Sequence, residues 1–337
     1  MSTQRIRLTP IGLFALVATL LAGVAVAPTP AHATTTLAPG DPTPVGEPPP
    51  AATSLSSGQA GFDHTTLSWA SPTTTVDWAY TEIRMASGTV PPATIADGVQ
   101  IYQGREDTTP VTVDEPGAVY SFSAFAVDLE GLIAPPVSHT LGGTIVTMTA
   151  DRTRVAYGDP IILTGYLTDA RTGQPLEFRD VQIAAADPVT GEIFDAGQTK
   201  AYAGGEFQYV VNPGQNYILA AVFLGDGNQR LGGYSPDLPV QVGMGMHVLP
   251  LKKSVKLGKP VVLIVALDPV NPGQAVVIQQ LVKGKWKKVA SAKAGKKDTM
   301  KITLKPKTKG TYTYRATRTG DRVHVSGTSN QAKVKVT

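Results

Sequence analysis

The chain has 337 residues, a formal net charge of +4, abundant Gly (34) and Pro (27), and no cysteine. Without thiols there can be no disulfide, no thiolate metal site and no lipid attached through cysteine. An exported form would depend on its hydrophobic cores alone, which suits bacterial secretion better than an animal extracellular module.

The N-terminus has the form of a targeting signal. Arg5 and Arg7 precede the uncharged apolar run Ile11 to Ala27, and Ala31-His32-Ala33 offers small residues for cleavage. The run is short for a membrane span and no positive stop signal follows it. The expectation is a signal peptide over residues 1–33, a mature start at Thr34 and no transmembrane segment in the mature chain. Residues 34–50 follow as a Pro-rich linker. The stretch from Thr34 to Thr53 carries six prolines and almost no large apolar residue, so it cannot bury a core and favours an extended spacer. At the other end, Gln331 to Thr337 alternates like a strand and shows no apolar tail or sorting signal.

Between these ends Thr and Val recur and no long stretch has helical periodicity, so the fold class expected is all-β. About 300 mature residues divide into three blocks, each near the size of one β-sandwich. The first block is expected over residues 51–141. Leu67 and Trp69 share one face of a strand, and Tyr120, Phe122, Ala124 and Ala126 share one face of another, the period-two pattern of half-buried antiparallel strands. Leu67-x-Trp69-x-x-Pro72 and Tyr120-x-Phe122-x-Ala124-x-Ala126-x-Asp128-x-x-Gly131 make this block resemble a fibronectin type III domain. The resemblance implies that Trp69 is central to the core and that the Tyr120 hydroxyl bonds back to the backbone. No Arg-Gly-Asp tripeptide is present.

The second and third blocks, expected over 142–243 and 244–337, look like copies. Val155-x-x-Gly158-x-Pro160-x-x-Leu163 recurs as Val255-x-x-Gly258-x-Pro260-x-x-Leu263. Tyr217-x-x-x-Ala221-x-x-x-Gly225-Asp226 recurs as Tyr312-x-x-x-Ala316-x-x-x-Gly320-Asp321. Each block then ends with a serine and a Val-x-Val, through Ser235 in one and Ser329 in the other. The repeat points to tandem sandwiches. Gly258 to Val261 and Gly310 to Arg315 make them resemble bacterial immunoglobulin-like domains of secreted surface proteins, the middle copy departing at its late strand.

Reactive constellations are sparse. The mature chain has four histidines, His64, His139, His247 and His324, none at metal-ligand spacing from another. The pair Asp63-His64 reads as two exposed polar groups without a joint role, because adjacent strand residues point to opposite faces. Asp226 and Asn228 are spaced like the start of a calcium loop, but the closing Glu is missing and an Asp-Gly hairpin turn is the simpler reading. Glu106-Asp107 and Asp114-Glu115 lie in loop-like surroundings without a cleft. The chain therefore reads as non-enzymatic and without cofactor or metal.

Charge is the strongest signal. From Met244 on, seventeen Lys and three Arg face three acids, a net +17; from Thr34 to Gly243, eight basic residues face twenty-three acids, a net −15. Lysine protects sheet edges, yet small domains ordinarily carry a net charge of roughly 2 to 8 in magnitude. Period two places Lys301, Lys305, Lys333 and Lys335 outward, opposite Ile302, Leu304, Val334 and Val336. Lys283, Lys285 and Lys287 share one parity and Trp286 and Lys288 the other, with Trp286 expected as a structural core residue packing over the sandwich edge. These eight lysines form the candidate surface for an anionic extracellular polymer, such as a cell-wall component or acidic polysaccharide. No recognition helix is evident, so sequence-specific reading of nucleic acid is not expected. The functional expectation is a secreted, extracellular binding protein able to associate with the cell wall. Its rivals are an accessory or spacer module like those of extracellular hydrolases, a structural stalk, and an unrecognised hydrolase. Oligomeric state is not legible in the sequence.

Overall fold

The computed structural model describes residues 46–72, 77–227 and 229–337. The expected signal peptide and most of the Pro-rich linker lie outside them. Every long element is a strand, and the chain folds as three tandem β-sandwiches.

The first contains β1 (Thr53–Gly58), β2 (His64–Ala70), β3 (Trp78–Ser87), β4 (Val99–Gly104), β5 (Thr108–Thr112), β6 (Tyr120–Asp128) and β7 (Val137–Leu141). Its two sheets run β1-β2-β5 and β4-β3-β6-β7. Leu67, Trp69, Ile83, Tyr120 and Phe122 belong to one buried cluster between them. The Tyr120 hydroxyl accepts a bond from the Glu115 backbone N–H at 3.1 Å and lies 3.5 Å from the Glu115 carbonyl, tying the corner before β6. One difference from the half-buried pattern stands out: β6 is buried along its whole length. Its second face is closed by hydroxyl pairs, Ser121 with Thr140 at 3.0 Å and Ser123 with Ser138 at 2.9 Å, so the polar side chains there are satisfied without water.

The second sandwich contains β8 (Thr144–Ala150), β9 (Arg154–Ala156), β10 (Ile161–Asp169), β11 (Asp180–Ala186), β12 (Ile193–Lys200), β13 (Glu206–Val211), β14 (Tyr217–Phe223), β15 (Gly233–Tyr234) and β16 (Leu238–Gly243). The third contains β17 (Gly245–Pro250), β18 (Ser254–Val255), β19 (Val261–Asp268), β20 (Ala275–Val282), β21 (Lys285–Lys293), β22 (Thr299–Leu304), β23 (Gly310–Arg318), β24 (Gly327–Thr328) and β25 (Ala332–Val336).

These two share one plan. Sheet β13-β10-β8 matches β22-β19-β17, and β12-β11-β14-β16-β9 matches β21-β20-β23-β25-β18, each closed by a parallel edge pairing. The repeated residues do the same work in both copies. Gly158 and Gly258 turn the chain with φ of 83° and 84°, a left-handed conformation that glycine adopts without steric cost. The Ser235 hydroxyl accepts from Ala221 N–H at 3.0 Å, and the Ser329 hydroxyl accepts from Ala316 N–H at 2.8 Å.

Each later sandwich also docks a loop on the one before it. In the loop between β14 and β15, Gly227 exchanges two backbone bonds with Ala60, Leu231 N–H reaches Gly142 carbonyl at 2.9 Å, and Gly232 N–H reaches Gly61 carbonyl at 2.9 Å. Leu231 is fully buried in the core of the first sandwich, and Phe62 of the first packs on Ala184, Ala220 and Val222 of the second. The loop between β23 and β24 repeats the device one step along. Asn216 N–H donates to Val323 carbonyl at 2.8 Å, Val325 N–H to Val242 carbonyl at 2.9 Å, and Met244 N–H to Val325 carbonyl at 3.1 Å.

Candidate functional site: the outer faces of the basic sandwich

The third sandwich is closed by Val248, Leu263, Val265, Ile278, Tyr314, Ala316 and Val334. Burial pushes the Tyr314 phenol up to about 12, with the neighbouring Tyr312 adding to the shift, so it stays a neutral core group. Because these residues alternate with polar ones, the two outer faces are fixed by register.

On the sheet β18-β25-β23-β20-β21, Val334 inward puts Lys333 and Lys335 outward beside Thr313 and Thr311. One strand further, Arg315 lies opposite Gln279, and Gln279 opposite Lys288. Trp286 lies opposite Leu281 on that same face. All eight candidate lysines are exposed, but the fold divides them. Lys288, Lys333 and Lys335 share this outer face. Lys285 and Lys287 lie opposite Val282 and Gln280 and project to the other side of the edge strand. Lys301 is on the opposing sheet, opposite Ile264, with Lys305 just past the end of β22. Lys283 forms the hairpin turn with Gly284 at φ of 49° and 76°.

Trp286 corrects an expectation. It is outside the buried cluster, only half-buried on the outer face, where the Arg315 guanidinium lies 4.3 Å from its ring centroid. The reason is register. A bulge beside Ile278 and Gln279 shifts β21 by one residue, so the ring meets the cation-bearing face of the sheet and not the core. Arg315 Nε donates to Gln279 Oε1 at 2.7 Å, fixing the guanidinium over the indole. Sequence reasoning missed Arg315 and Gln279. Arg315 shares parity with Thr311 and Thr313, but only the pairing of β23 with β20 places it beside Trp286.

A groove of about 510 Å³ lies at the β18 edge of this sheet, lined by Leu251, Lys252, Ser254, Val255, Lys256, Lys259, Pro260 and Val262. Among the described residues, the lysines of the third sandwich form no ion pair; its one acid–base pair is Asp321 with His324 at 2.9 Å.

The other candidate groups find structural partners. Asp63 lies in the turn before β2, not on the strand, so its carboxylate meets His64 Nδ1 at 3.1 Å instead of facing away from it. Asp226, part of the calcium-like spacing, accepts backbone N–H groups from Gln229 and Arg230 and a side-chain bond from Arg230, which occupies its oxygens. Asn228 lies outside the described residues. Among the described residues no group of three or more His, Cys, Asp or Glu could hold a metal, and no helix is long and apolar enough to cross a membrane.

No family model matches the chain, and no curated protein matches it. Among solved structures, it is similar to a tetra-tandem repeat from the extending region of a large adhesion protein, at 15% identity over 85% of this chain and 74% of that one, with a TM-score of 0.27. It is also similar to the FN1–FN3 domains of chicken CNTN1, at 12% identity over 86% of this chain and 99% of that one, with a TM-score of 0.24.

Proposed function

We propose that the chain is a secreted, non-enzymatic binding protein of the bacterial surface, divided at 141/142 and 243/244, whose third sandwich associates with an anionic extracellular polymer. What carries the reading is the charge partition, a net +17 after Met244 against −15 before it. Among the described residues the lysines of the third sandwich have no carboxylate partner, so their field is open to an external polyanion. The first two sandwiches then serve as spacer or partner-binding modules. The loop docking at both joints also supports a stalk-like role, which is compatible with binding at one end.

The test is the salt dependence of binding by the full chain to a negatively charged wall polymer. Each neutralised anion releases counterions, so affinity falls steeply as salt rises. Converting Lys333 and Lys335 to Gln should lower affinity and flatten that slope without unfolding. A salt-independent affinity, or none at low salt, would remove the reading.

A further inference from the structure

The charge partition calls for a polyanion but does not say which chemistry it reads. One group on the outer face is built differently from the lysines around it. Arg315 is held from two directions, by the Trp286 ring beneath its guanidinium and by Gln279 at its Nε. Among the described residues its two terminal nitrogens make no hydrogen bond and no ion pair. The guanidinium thus presents a fixed, planar pair of donors to solvent. That geometry matches a carboxylate or a phosphate bidentately, and fixing it in advance lowers the ordering cost of each bond formed. Flexible lysines supply charge only.

The neighbours narrow the partner further. Lys288 stands two strands away across Gln279, about 10 Å on ordinary strand spacing. Lys333 and Lys335 lie on the other side, on β25. Between these cations the face offers hydroxyls from Thr311, Thr313 and Thr317, and apolar spots at Leu281 and Val277. Sugar rings bring hydroxyls and C–H surfaces that match this mixture, whereas a bare phosphodiester chain would use only the cations.

We infer that the outer face of β25-β23-β20-β21 is a binding site for an acidic polysaccharide, with Arg315 clamping a sugar carboxylate and Lys288, Lys333 and Lys335 holding the flanking charges. The inference rests on the polyanion reading proposed above and adds the ligand chemistry and the residue that reads it.

The experiment measures binding of the full chain to polygalacturonate, with poly(glycerol phosphate) as a phosphate polymer of the same sign. Arg315→Lys keeps the charge and loses the fork. It should weaken polygalacturonate binding by about tenfold while leaving the salt slope unchanged, because lysine keeps one charge-assisted bond and the charge but loses the second, parallel bond and the pre-set plane. Lys200→Gln, at the end of β12 in the second sandwich and paired with Asp180 at 2.8 Å, should change affinity little. Gln279→Ala frees the guanidinium without altering charge and should give a smaller loss, which keeps the test intact if Arg315→Lys perturbs folding. Equal affinity for polygalacturonate in the wild type, Arg315→Lys and Gln279→Ala would overturn the site while leaving a diffuse-charge reading standing. Preference for poly(glycerol phosphate) would overturn the carboxylate assignment. Absence of binding to either polymer at low salt would overturn both this inference and the polyanion reading.

Discussion

The two joints between sandwiches use one device with different chemistry. In both, an Asp four residues before the docking position orders the loop by accepting backbone N–H groups, Asp226 in the first joint and Asp321 in the second. In both, the loop backbone then pairs with the segment linking the sandwiches, through Gly142 in one and Gly243 in the other. Beyond that pairing the side chains diverge. At the first joint Arg230 bridges Asp169 at 2.7 Å and Asp226 at 2.9 Å, and Leu231 enters the neighbouring core. At the second, the position of Arg230 is taken by Val325, which is only half-buried, and two polar side chains reach across, His324 with Nε2 2.9 Å from Gly214 carbonyl and Arg154 with Nη2 3.4 Å from Ser326 carbonyl. A repeated backbone scaffold can therefore carry either a deeply anchored joint or a lighter polar one, depending on two or three side chains.

The largest expected break in this comparison is Arg230→Ala. Asp169 and Asp226 are nearly inaccessible, with side-chain exposures of 3% and 5%, and would lose the guanidinium they share, leaving Asp169 with only backbone N–H donors and Asp226 with backbone donors and Arg179 at 3.9 Å. Removing one member of such a network costs about 3–5 kcal/mol. Calorimetry of the full chain should show the second sandwich melting early. Val325→Ala at the matching position should shift the third by under about 1 kcal/mol, since little buried area is lost. Equal shifts would show that the Arg230 network adds nothing to the scaffold.

Next in size is Leu231→Ala. The residue belongs to a loop of the second sandwich but its side chain is fully buried in the first. Truncating a buried leucine costs about 2–5 kcal/mol. Trp69 and Trp78 are both in the first sandwich and Trp286 is in the third, so denaturation followed by tryptophan emission in a Trp286→Phe background reports the first sandwich alone. The midpoint should fall there. An unchanged midpoint would mean that the first core is complete without its neighbour.

These joints also show where the sequence ran out. Strand faces were legible because burial alternates with period two, which sets Leu67, Trp69, Phe122 and Val334 inward without knowledge of partners. The repeat was legible for the same reason, since Gly158 and Gly258, or Ser235 and Ser329, do one local job each. Leu231 was not, because a single apolar residue in Asn228-Gln229-Arg230-Leu231-Gly232 has no periodicity to announce its burial. The joints are made largely of loop backbone bonds, which leave no composition signal. Trp286 was misplaced because burial preference for a large ring outweighed its parity with Lys288, and parity was the better guide.

Acidification should sharpen the comparison more gently. Burial would raise the Asp169 carboxyl, but the bonds from Arg230, Thr172 and Arg171 outweigh it and hold the group below its usual range. For Asp321 burial is likewise outweighed, by bonds from Val323 and His324. A depressed carboxyl contributes stability that is complete above its unfolded value, about 3.9, and is lost as pH falls through its native value. Both joints should therefore hold at pH 5 and weaken below about pH 4 on that sign. Asp169 is the less exposed of the two, at 3% against 29%, so the first joint should lose the more. Proteolysis between residues 141 and 144 should then outpace cleavage near Gly243 as pH is lowered. The reverse order would put the stronger acid dependence at the second joint.

The smallest expected effect belongs to His324. Its side chain is 7% exposed and both ring nitrogens face acceptors, Asp321 carboxylate at one and Gly214 carbonyl at the other. A neutral imidazole has one N–H and can satisfy only one of them, so the ring contributes at most one full bond in that form and two as the imidazolium. Replacing it by Ala removes a contact worth about 1 kcal/mol net. The backbone pairing of Val325 with Val242 and Met244 remains, so neither sandwich should melt differently. What should change is the joint itself. With the backbone bonds and the Arg154 contact to Ser326 carbonyl left, the angle between second and third sandwiches should broaden, read as a wider distance distribution between spin labels placed one on each. An unaltered distribution would mean that the backbone bridge fixes the joint by itself, and that the difference between the two joints lies entirely in Arg230 and Leu231.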